Sequence, residues 1–210
     1  MIDARATALL RPALDSAARR IVGAGIGADT LTLVGFAVGL LAAGLIAAGH
    51  PLAGAIGIVV SRLLDGLDGA VARQTRPTAR GGFLDISLDF VFYASIPLAF
   101  AVANPVANAL AAVCLLAAFV ANGTAFLAYA VTAGQRGMTS LAYPDKSFYF
   151  LGGLAEATET LVAFLAMCVW PQYFALLADG FAVLCAFSAV ARLAAGWQTF
   201  DQRLKLNSTA

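Results

Sequence analysis

The stretch from Asp65 to Asp89 is the feature of the sequence that most constrains how the chain folds. It reads DGLDGAVARQTRPTARGGFLDISLD and holds four aspartates and three arginines between apolar segments. Asp65 and Asp68 are three residues apart, and Asp85 and Asp89 are four apart, so each pair projects from one face of a helix. The sequence therefore predicts that two carboxylate pairs converge on a point that needs a cation.

The composition of the chain indicates an integral membrane protein. Of its 210 residues, 61% are hydrophobic and 12% are charged, whereas a soluble domain carries roughly a quarter charged residues. The net charge of +1 gives no indication of a nucleic-acid partner. The single histidine, His50, excludes histidine-based catalytic triads and histidine-rich metal sites.

Apolar segments predict an all-α, polytopic membrane helical bundle with six transmembrane helices. Each segment is long enough to cross a hydrocarbon core of roughly 30 Å. They lie near 31–49, 52–73, 83–103, 107–132, 148–170 and 172–198. Residues 2–20 place apolar side chains at helical spacing among arginines, which predicts an amphipathic helix on the membrane surface. A solvated basic lead-in is the alternative for that segment, and residues 1–210 are expected to form one domain.

The basic residues indicate the orientation in the membrane. They lie in the N-terminal segment, in the second and fourth connections, and in the C-terminal tail. The positive-inside rule then places both termini and the aspartate cluster on the cytoplasmic side.

The aspartates favour a particular class of cation. An ionised carboxylate at membrane depth is costly, so its alternative role is an ion pair with a base such as Arg73, Arg76 or Arg80. A set of oxygen ligands without His or Cys suits Mg²⁺, Mn²⁺ or Ca²⁺. Two such ions with bridging carboxylates can clamp a phosphoryl group.

The stretch also follows a longer pattern. The pattern is Asp65-x-x-Asp68-Gly69-x-x-Ala72-Arg73, then seven residues, then Gly81-x-x-x-Asp85-x-x-x-Asp89. It resembles the complete signature of the CDP-alcohol phosphotransferase family of integral membrane enzymes that make phospholipids. The chain is also similar to that family in length, in its six predicted spans and in its N-terminal helix, and it resembles a bacterial inner-membrane branch.

The resemblance implies a reaction and a set of site residues. A phosphatidyl or other substituted phosphate group would pass from a CDP-linked donor, such as CDP-diacylglycerol, to a small alcohol, and CMP would be released. Two divalent ions, Mg²⁺ or Mn²⁺, would be bound. Asp65, Asp68 and Asp85 would hold the first ion, and Asp65, Asp85 and Asp89 would hold the second. Asp89 would also take the proton from the attacking hydroxyl. The resemblance implies nucleotide contacts at Asp29, Thr32, Gly69, Ala72, Arg73 and Thr78.

The acceptor alcohol is less constrained. Candidate residues for its pocket are Arg136, Lys146, Glu156, Glu159 and Arg192. Relatives that use a phosphorylated acceptor carry arginines near the start of the fifth span, where this chain has Glu156 and Glu159. We therefore hypothesise a non-phosphorylated or amino-alcohol acceptor. Pairing of these glutamates with Arg192 or Arg62 is the alternative. A homodimer in a bacterial inner membrane is also compatible with the resemblance.

Two other classes of function compete with an enzyme. Intramembrane carboxylates also mark the ion paths of cation-coupled or proton-coupled transporters. However, a conduction path needs polar residues across the whole membrane, and the first and third predicted spans offer few. A non-catalytic assembly protein is the third class, and the complete set of four aspartates argues against it.

Overall fold

The computed structural model describes residues 2–137 and 157–207 of the chain, and the regular structure in these residues is helical. The α-helices are α1 (Ile2–Gly23), α2 (Ala28–Ala47), α3 (Pro51–Gln74), α4 (Ala79–Ala103), α5 (Pro105–Gln135), α6 (Ala157–Val169) and α7 (Phe174–Asn207). A short 3-10 helix, Pro171–Tyr173, leads into α7. An all-helical fold therefore agrees with the predicted class.

The helix ends follow local sequence signals. Pro51 and Pro105 stand at the starts of α3 and α5, where the missing amide hydrogen costs no helical hydrogen bond. Thr78 caps α4, because its Oγ1 accepts a hydrogen bond from the backbone nitrogen of Gly81 at 3.0 Å. Asn104 caps α5 in the same way through the nitrogen of Ala107.

Within the described residues, four segments are long and apolar enough to cross a membrane. These segments are Ala28–Ala47, Ala79–Ala103, Pro105–Gln135 and Pro171–Asp201. Large apolar side chains on their outer surfaces, such as Leu41, Leu110 and Leu176, are more than half exposed, which fits contact with lipid. The chain is therefore an integral membrane protein.

The two remaining predicted spans, 52–73 and 148–170, are not among these four segments. α3 has 24 residues but carries several charged side chains, among them Arg62, Asp65 and Asp68. Of the predicted span 148–170, the described part is the 13-residue helix α6. A count of six spans accordingly stays a prediction.

The predicted boundaries need correction by a few residues. α4 begins at Ala79 rather than at residue 83, because the Thr78 cap starts the helix within the polar turn. α7 continues to Asn207, well beyond the predicted limit of 198. α1 covers the predicted segment 2–20 and ends at Gly23.

Buried aromatic and small side chains form the main core. Phe92 of α4 and Phe164 of α6 meet edge to face, and Phe100 stacks on Phe174 with ring centroids 4.5 Å apart. A smaller cluster of Ala18, Leu31, Ala70 and Val71 joins α1 to α2 and α3. This cluster holds the start of α2 and the end of α3 next to the predicted aspartate site.

Small residues let α2 and α3 pack closely. A Cβ added at Gly57 would lie 2.7 Å from the Cβ of Ala42 and 3.3 Å from its Cα. Ser61 Oγ donates a hydrogen bond of 2.7 Å to the carbonyl of Gly35, which is on α2. Such contacts are typical of membrane helices, and they fix the position of α3 relative to α2.

Gly57→Ala tests this contact against Gly44→Ala. Gly44 also lies within a helix, but nothing lies within 4 Å of a Cβ added there. We expect Gly57→Ala to lower the free energy of unfolding by about 1–3 kcal/mol relative to Gly44→Ala, because Ala42 cannot move without shifting its backbone. Thermal unfolding in detergent micelles measures the difference, and equal stability of the two variants would contradict the packing argument.

Candidate active site

Carboxylates from two helices meet at the site. Asp65 and Asp68 lie near the end of α3, and Asp85 and Asp89 lie near the start of α4. Asp65, Asp68 and Asp85 each place one carboxylate oxygen within 4.8 Å of the other two. The end of α3 and the beginning of α4 thus bring together Asp65 and Asp85, which are 20 positions apart in the sequence.

Asp68 is the most buried of these carboxylates and is fixed by α2. It is 6% exposed, and Thr32 Oγ1 donates to its Oδ2 at 2.5 Å. The same Oγ1 lies 3.1 Å from the carbonyl oxygen of Ala28. Thr32 therefore orients Asp68, and the position of α2 determines the direction in which this carboxylate points.

Asp89 lies against an arginine. Arg62 Nη1 is 2.6 Å from Asp89 Oδ1 and 3.5 Å from Asp65 Oδ1. The guanidinium also lies 4.2 Å from the ring centroid of Phe92. Sequence reasoning considered Arg62 only as an alternative partner for Glu156 or Glu159. The available signal was its position three residues before Asp65 within a predicted span.

A cavity of about 1010 Å³ opens beside the carboxylates. Asp68, Asp85 and Asp89 line it. All six residues predicted to contact a nucleotide line it as well, and these are Asp29, Thr32, Gly69, Ala72, Arg73 and Thr78. The structure therefore brings three of the four predicted metal ligands and all six predicted nucleotide contacts to one continuous space, whereas Asp65 does not line it.

An ion pair lies at the rim of the cavity. Arg80 Nη2 contacts Asp29 Oδ2 at 2.5 Å, and the Arg80 side chain is 82% exposed. Gly81 follows directly, and a Cβ added there would lie 3.2 Å from Asp29 Oδ1 and from Thr78 Oγ1. The start of α4 thus packs tightly against the start of α2.

The acceptor candidates have different positions. Arg192 is 6% exposed, and its Nη1 donates to Asn122 Oδ1 at 3.0 Å. Arg136 donates to the carbonyl of Phe200 and stacks on its ring. Among the described residues that line the cavity, Arg192 is the one acceptor candidate. Glu159 lies on α6, and Lys146 and Glu156 are outside the described residues.

Sequence reasoning missed other polar residues of the cavity. Tyr93 of α4, Asn122 of α5 and Thr160 of α6 all line it. Each is a polar side chain within an apolar run, and Asn122 in particular is rare at membrane depth. A search of the predicted spans for amides and hydroxyls would have found them.

The three converging carboxylates suit a hard divalent cation. They offer oxygen donors and no sulfur or nitrogen donor, which is the ligand set of Mg²⁺ and Mn²⁺. Three negatively charged groups whose oxygens lie within 4.8 Å repel one another unless a cation lies between them. The residues therefore fit such an ion.

Comparison with known proteins identifies the family. Residues 26–193 match the CDP-alcohol phosphatidyltransferase family. The chain belongs to this family. It is accordingly an enzyme, a transferase of substituted phosphate groups, which confirms the prediction from the aspartate signature.

Two curated relatives of this CDP-alcohol phosphatidyltransferase show different extents of similarity. The inner membrane protein YnjF of Escherichia coli K12 is 46% identical over 199 residues, which cover 95% of this chain and 97% of the relative. The archaetidylinositol phosphate synthase of Methanothermobacter thermautotrophicus is 45% identical over 82 residues, which cover 39% of this chain and 40% of the relative.

Solved structures share the fold. The phosphatidylinositol phosphate synthase PgsA1 of Mycobacterium tuberculosis with CDP-DAG bound has a TM-score of 0.71 and 22% identity, covering 88% of this chain and 93% of that one. The same enzyme in complex with manganese and citrate has the same TM-score, with 88% of each chain covered. The helical arrangement described above is thus the one found in that enzyme.

Thr32→Val tests how Asp68 is held. Valine keeps the shape of threonine but cannot donate to Asp68, so we expect Mn²⁺ to bind about tenfold more weakly, as with other lost partners of metal ligands. Thr32→Ser keeps the hydroxyl and is expected to bind Mn²⁺ with nearly the affinity of the unchanged protein. Electron paramagnetic resonance of free Mn²⁺ measures both, and an unchanged affinity in Thr32→Val would contradict the role assigned to the hydroxyl.

Proposed function

We propose that this protein transfers a phosphatidyl or other substituted phosphate group from a CDP-linked lipid to an alcohol, with release of CMP, and that it depends on a divalent metal. The observation that carries the proposal is one cavity lined both by three of the four predicted metal ligands and by all six predicted nucleotide contacts. The CDP-DAG bound to the similarly folded mycobacterial enzyme supports CDP-diacylglycerol as the donor.

The nucleotide part of the donor would occupy the part of the cavity formed by α2, α3 and α4. Arg73 supplies a positive charge for the pyrophosphate, and Asp29 and Thr78 supply polar groups at the rim. Gly69 has no side chain, so a ligand can approach the backbone of α3 there. The acyl chains would lie between helices, in contact with membrane lipid.

The aspartates would hold the metal ions, Mg²⁺ or Mn²⁺. Asp65, Asp68 and Asp85 would hold one ion, and Asp65, Asp85 and Asp89 would hold a second. When bound, such ions neutralise the pyrophosphate and stabilise the departing CMP. The manganese complex of the mycobacterial enzyme supports this class of ion.

Asp89 would act as the base. The hydroxyl oxygen of the alcohol forms a bond to the β-phosphorus, and the bond from that phosphorus to the bridging oxygen of CMP breaks. The hydroxyl proton passes to a carboxylate oxygen of Asp89, which lines the cavity. Because the hydroxyl becomes more acidic as it approaches phosphorus, a carboxylate is an adequate base.

The site would face the cytoplasm of a bacterial inner membrane. The positive-inside pattern supports this side, and the similarity to an inner membrane protein of Escherichia coli supports the location. α3 and the predicted span 148–170 would complete six spans within one domain of residues 1–210. The charged residues of α3 are tolerated at this depth because Asp68 and Arg62 face partners inside the bundle.

The acceptor would be a small alcohol that contacts the wall formed by α5, α6 and α7. This wall offers Asn122, Thr160 and Arg192 in the described part of the chain. A wall whose described residues include one cationic side chain favours a non-phosphorylated or amino alcohol. The second candidate is a phosphorylated alcohol, which Arg192 favours and which fits the name of the archaeal relative, a synthase of archaetidylinositol phosphate.

Release of CMP from CDP-diacylglycerol tests the reaction. We expect activity in the unchanged protein and a loss of at least about 100-fold in Asp89→Asn, which cannot accept the proton. The matched control is Asp179→Asn, because Asp179 is an exposed aspartate of α7 and is expected to leave the rate unchanged. A transporter or an assembly protein would release no CMP even without substitution.

A panel of acceptors tests the choice of alcohol. With radiolabelled CDP-diacylglycerol as donor, we expect turnover with a polyol or an amino alcohol and none with glycerol 3-phosphate or inositol phosphate. Efficient turnover with either phosphate would overturn the acceptor proposal and leave the reaction class intact. Lipid mass spectrometry of cells with and without the protein then identifies the headgroup that it makes.

A further inference from the structure

Arg62 is a largely buried cation that contacts two of the four aspartates. Its side chain is 14% exposed, and Nη1 contacts Asp89 at 2.6 Å and Asp65 at 3.5 Å. Nη2 donates to Ser61 Oγ at 3.3 Å. These contacts place one positive charge between a carboxylate of α3 and a carboxylate of α4.

The surroundings of Arg62 hold it in this position. The guanidinium carbon lies 4.2 Å from the ring centroid of Phe92 and 5.8 Å from that of Tyr93. Ser61 is itself fully buried and bonded to the carbonyl of Gly35. An arginine near a membrane interface commonly extends its head group towards water, whereas this one is kept inside by aromatic rings and a bonded hydroxyl.

The position of Arg62 affects the two metal sites unequally. The ion held by Asp65, Asp68 and Asp85 shares one carboxylate, Asp65, with Arg62. An ion held by Asp65, Asp85 and Asp89 shares two carboxylates with it, and the Asp89 contact is the shorter. Arg62 carries the same sign of charge as a metal ion and contacts the same carboxylate oxygens. It therefore weakens metal binding most at the site that shares more carboxylates with it.

We propose that Arg62 is a positioning residue that holds the Asp89 carboxylate and, as a fixed counter-ion, weakens the second divalent-metal site relative to the first. The proposal rests on the metal dependence proposed above. It implies that the protein alone binds one Mn²⁺ tightly and a second only weakly. The negative charge of the donor's pyrophosphate then assists the entry of the second ion.

The experiment measures Mn²⁺ binding to the purified full chain in detergent by electron paramagnetic resonance. We expect the unchanged protein to bind two ions with affinities that differ at least tenfold. Arg62→Met removes the charge and keeps the apolar stem against Phe92, and it is expected to tighten the weaker site about tenfold or more. Arg62→Lys keeps the charge and is expected to leave that site within about threefold of the unchanged protein.

Arg192→Met is the matched control for the loss of a buried arginine. Arg192 is 6% exposed, bonds Asn122 and lies over the ring of Phe126, but it belongs to the wall formed by α5 to α7. Its replacement is expected to leave both Mn²⁺ affinities unchanged. Arg62→Gln is a second neutral variant in case Arg62→Met does not fold, and the same tightening is expected.

The outcomes separate this proposal from the proposed function. If Mn²⁺ binds but the weaker site is unchanged in the neutral Arg62 variants, the role of Arg62 is overturned and metal dependence stands. If Arg192→Met tightens the site equally, a general effect of lost charge replaces the specific one, and the role of Arg62 is also overturned. If the unchanged protein binds no Mn²⁺, both proposals fail. A gain of affinity confined to Arg62→Met and Arg62→Gln supports the inference, since misfolding does not tighten a metal site.

Discussion

Carboxylate repulsion at the meeting point of α3 and α4 is the constraint on which the rest of this structure depends. Four aspartates within a helical membrane bundle carry a charge that lipid cannot solvate, so the fold must supply positive charge, hydrogen-bond donors and access to water. Thr32 supplies a donor to Asp68, Arg62 supplies a charge to Asp89, and the cavity leaves open space beside Asp68, Asp85 and Asp89. Close packing at Gly57 and the hydrogen bond from Ser61 to Gly35 hold α2 against α3, and these two helices carry Thr32 and Asp68.

The two halves of the bundle, α2 to α4 and α5 to α7, differ in charge and in packing because of this constraint. Helices α2, α3 and α4 carry the signature residues and the small-residue contacts that fix their positions. Helices α5, α6 and α7 contribute few charges, and their aromatic and small side chains pack as a conventional apolar core. Their polar contribution to the cavity is limited to isolated residues such as Asn122, Thr160 and Arg192. One half thus carries the aspartates and the predicted nucleotide contacts, and the other forms the wall where we propose that the acceptor binds.

Sequence alone was sufficient for the features that depend on local spacing. The helical class, most helix positions and the convergence of Asp65, Asp68 and Asp85 follow from apolar length and from spacings of three and four residues. Sequence was not sufficient for contacts between distant helices. The pairing of Arg62 with Asp89 spans 27 positions and depends on the rotation of α3 against α4, and the contact of Arg192 with Asn122 spans 70. The hydrophobic periodicity of one helix carries no information about how a neighbouring helix is rotated against it.

The ion pair between Asp29 and Arg80 affects how rigid the entrance of the cavity is. It joins the first turns of α2 and α4, yet the Arg80 side chain is 82% exposed. Ion pairs with such exposure contribute about 0–1 kcal/mol, and salt screens them further. This ion pair therefore adds little to the stability of the rim, whereas Asp68 in the cavity wall and the neighbouring Arg62 are held by less exposed contacts. Under the proposed function, this difference would let the donor's headgroup displace the rim contact without disturbing the carboxylates beneath it.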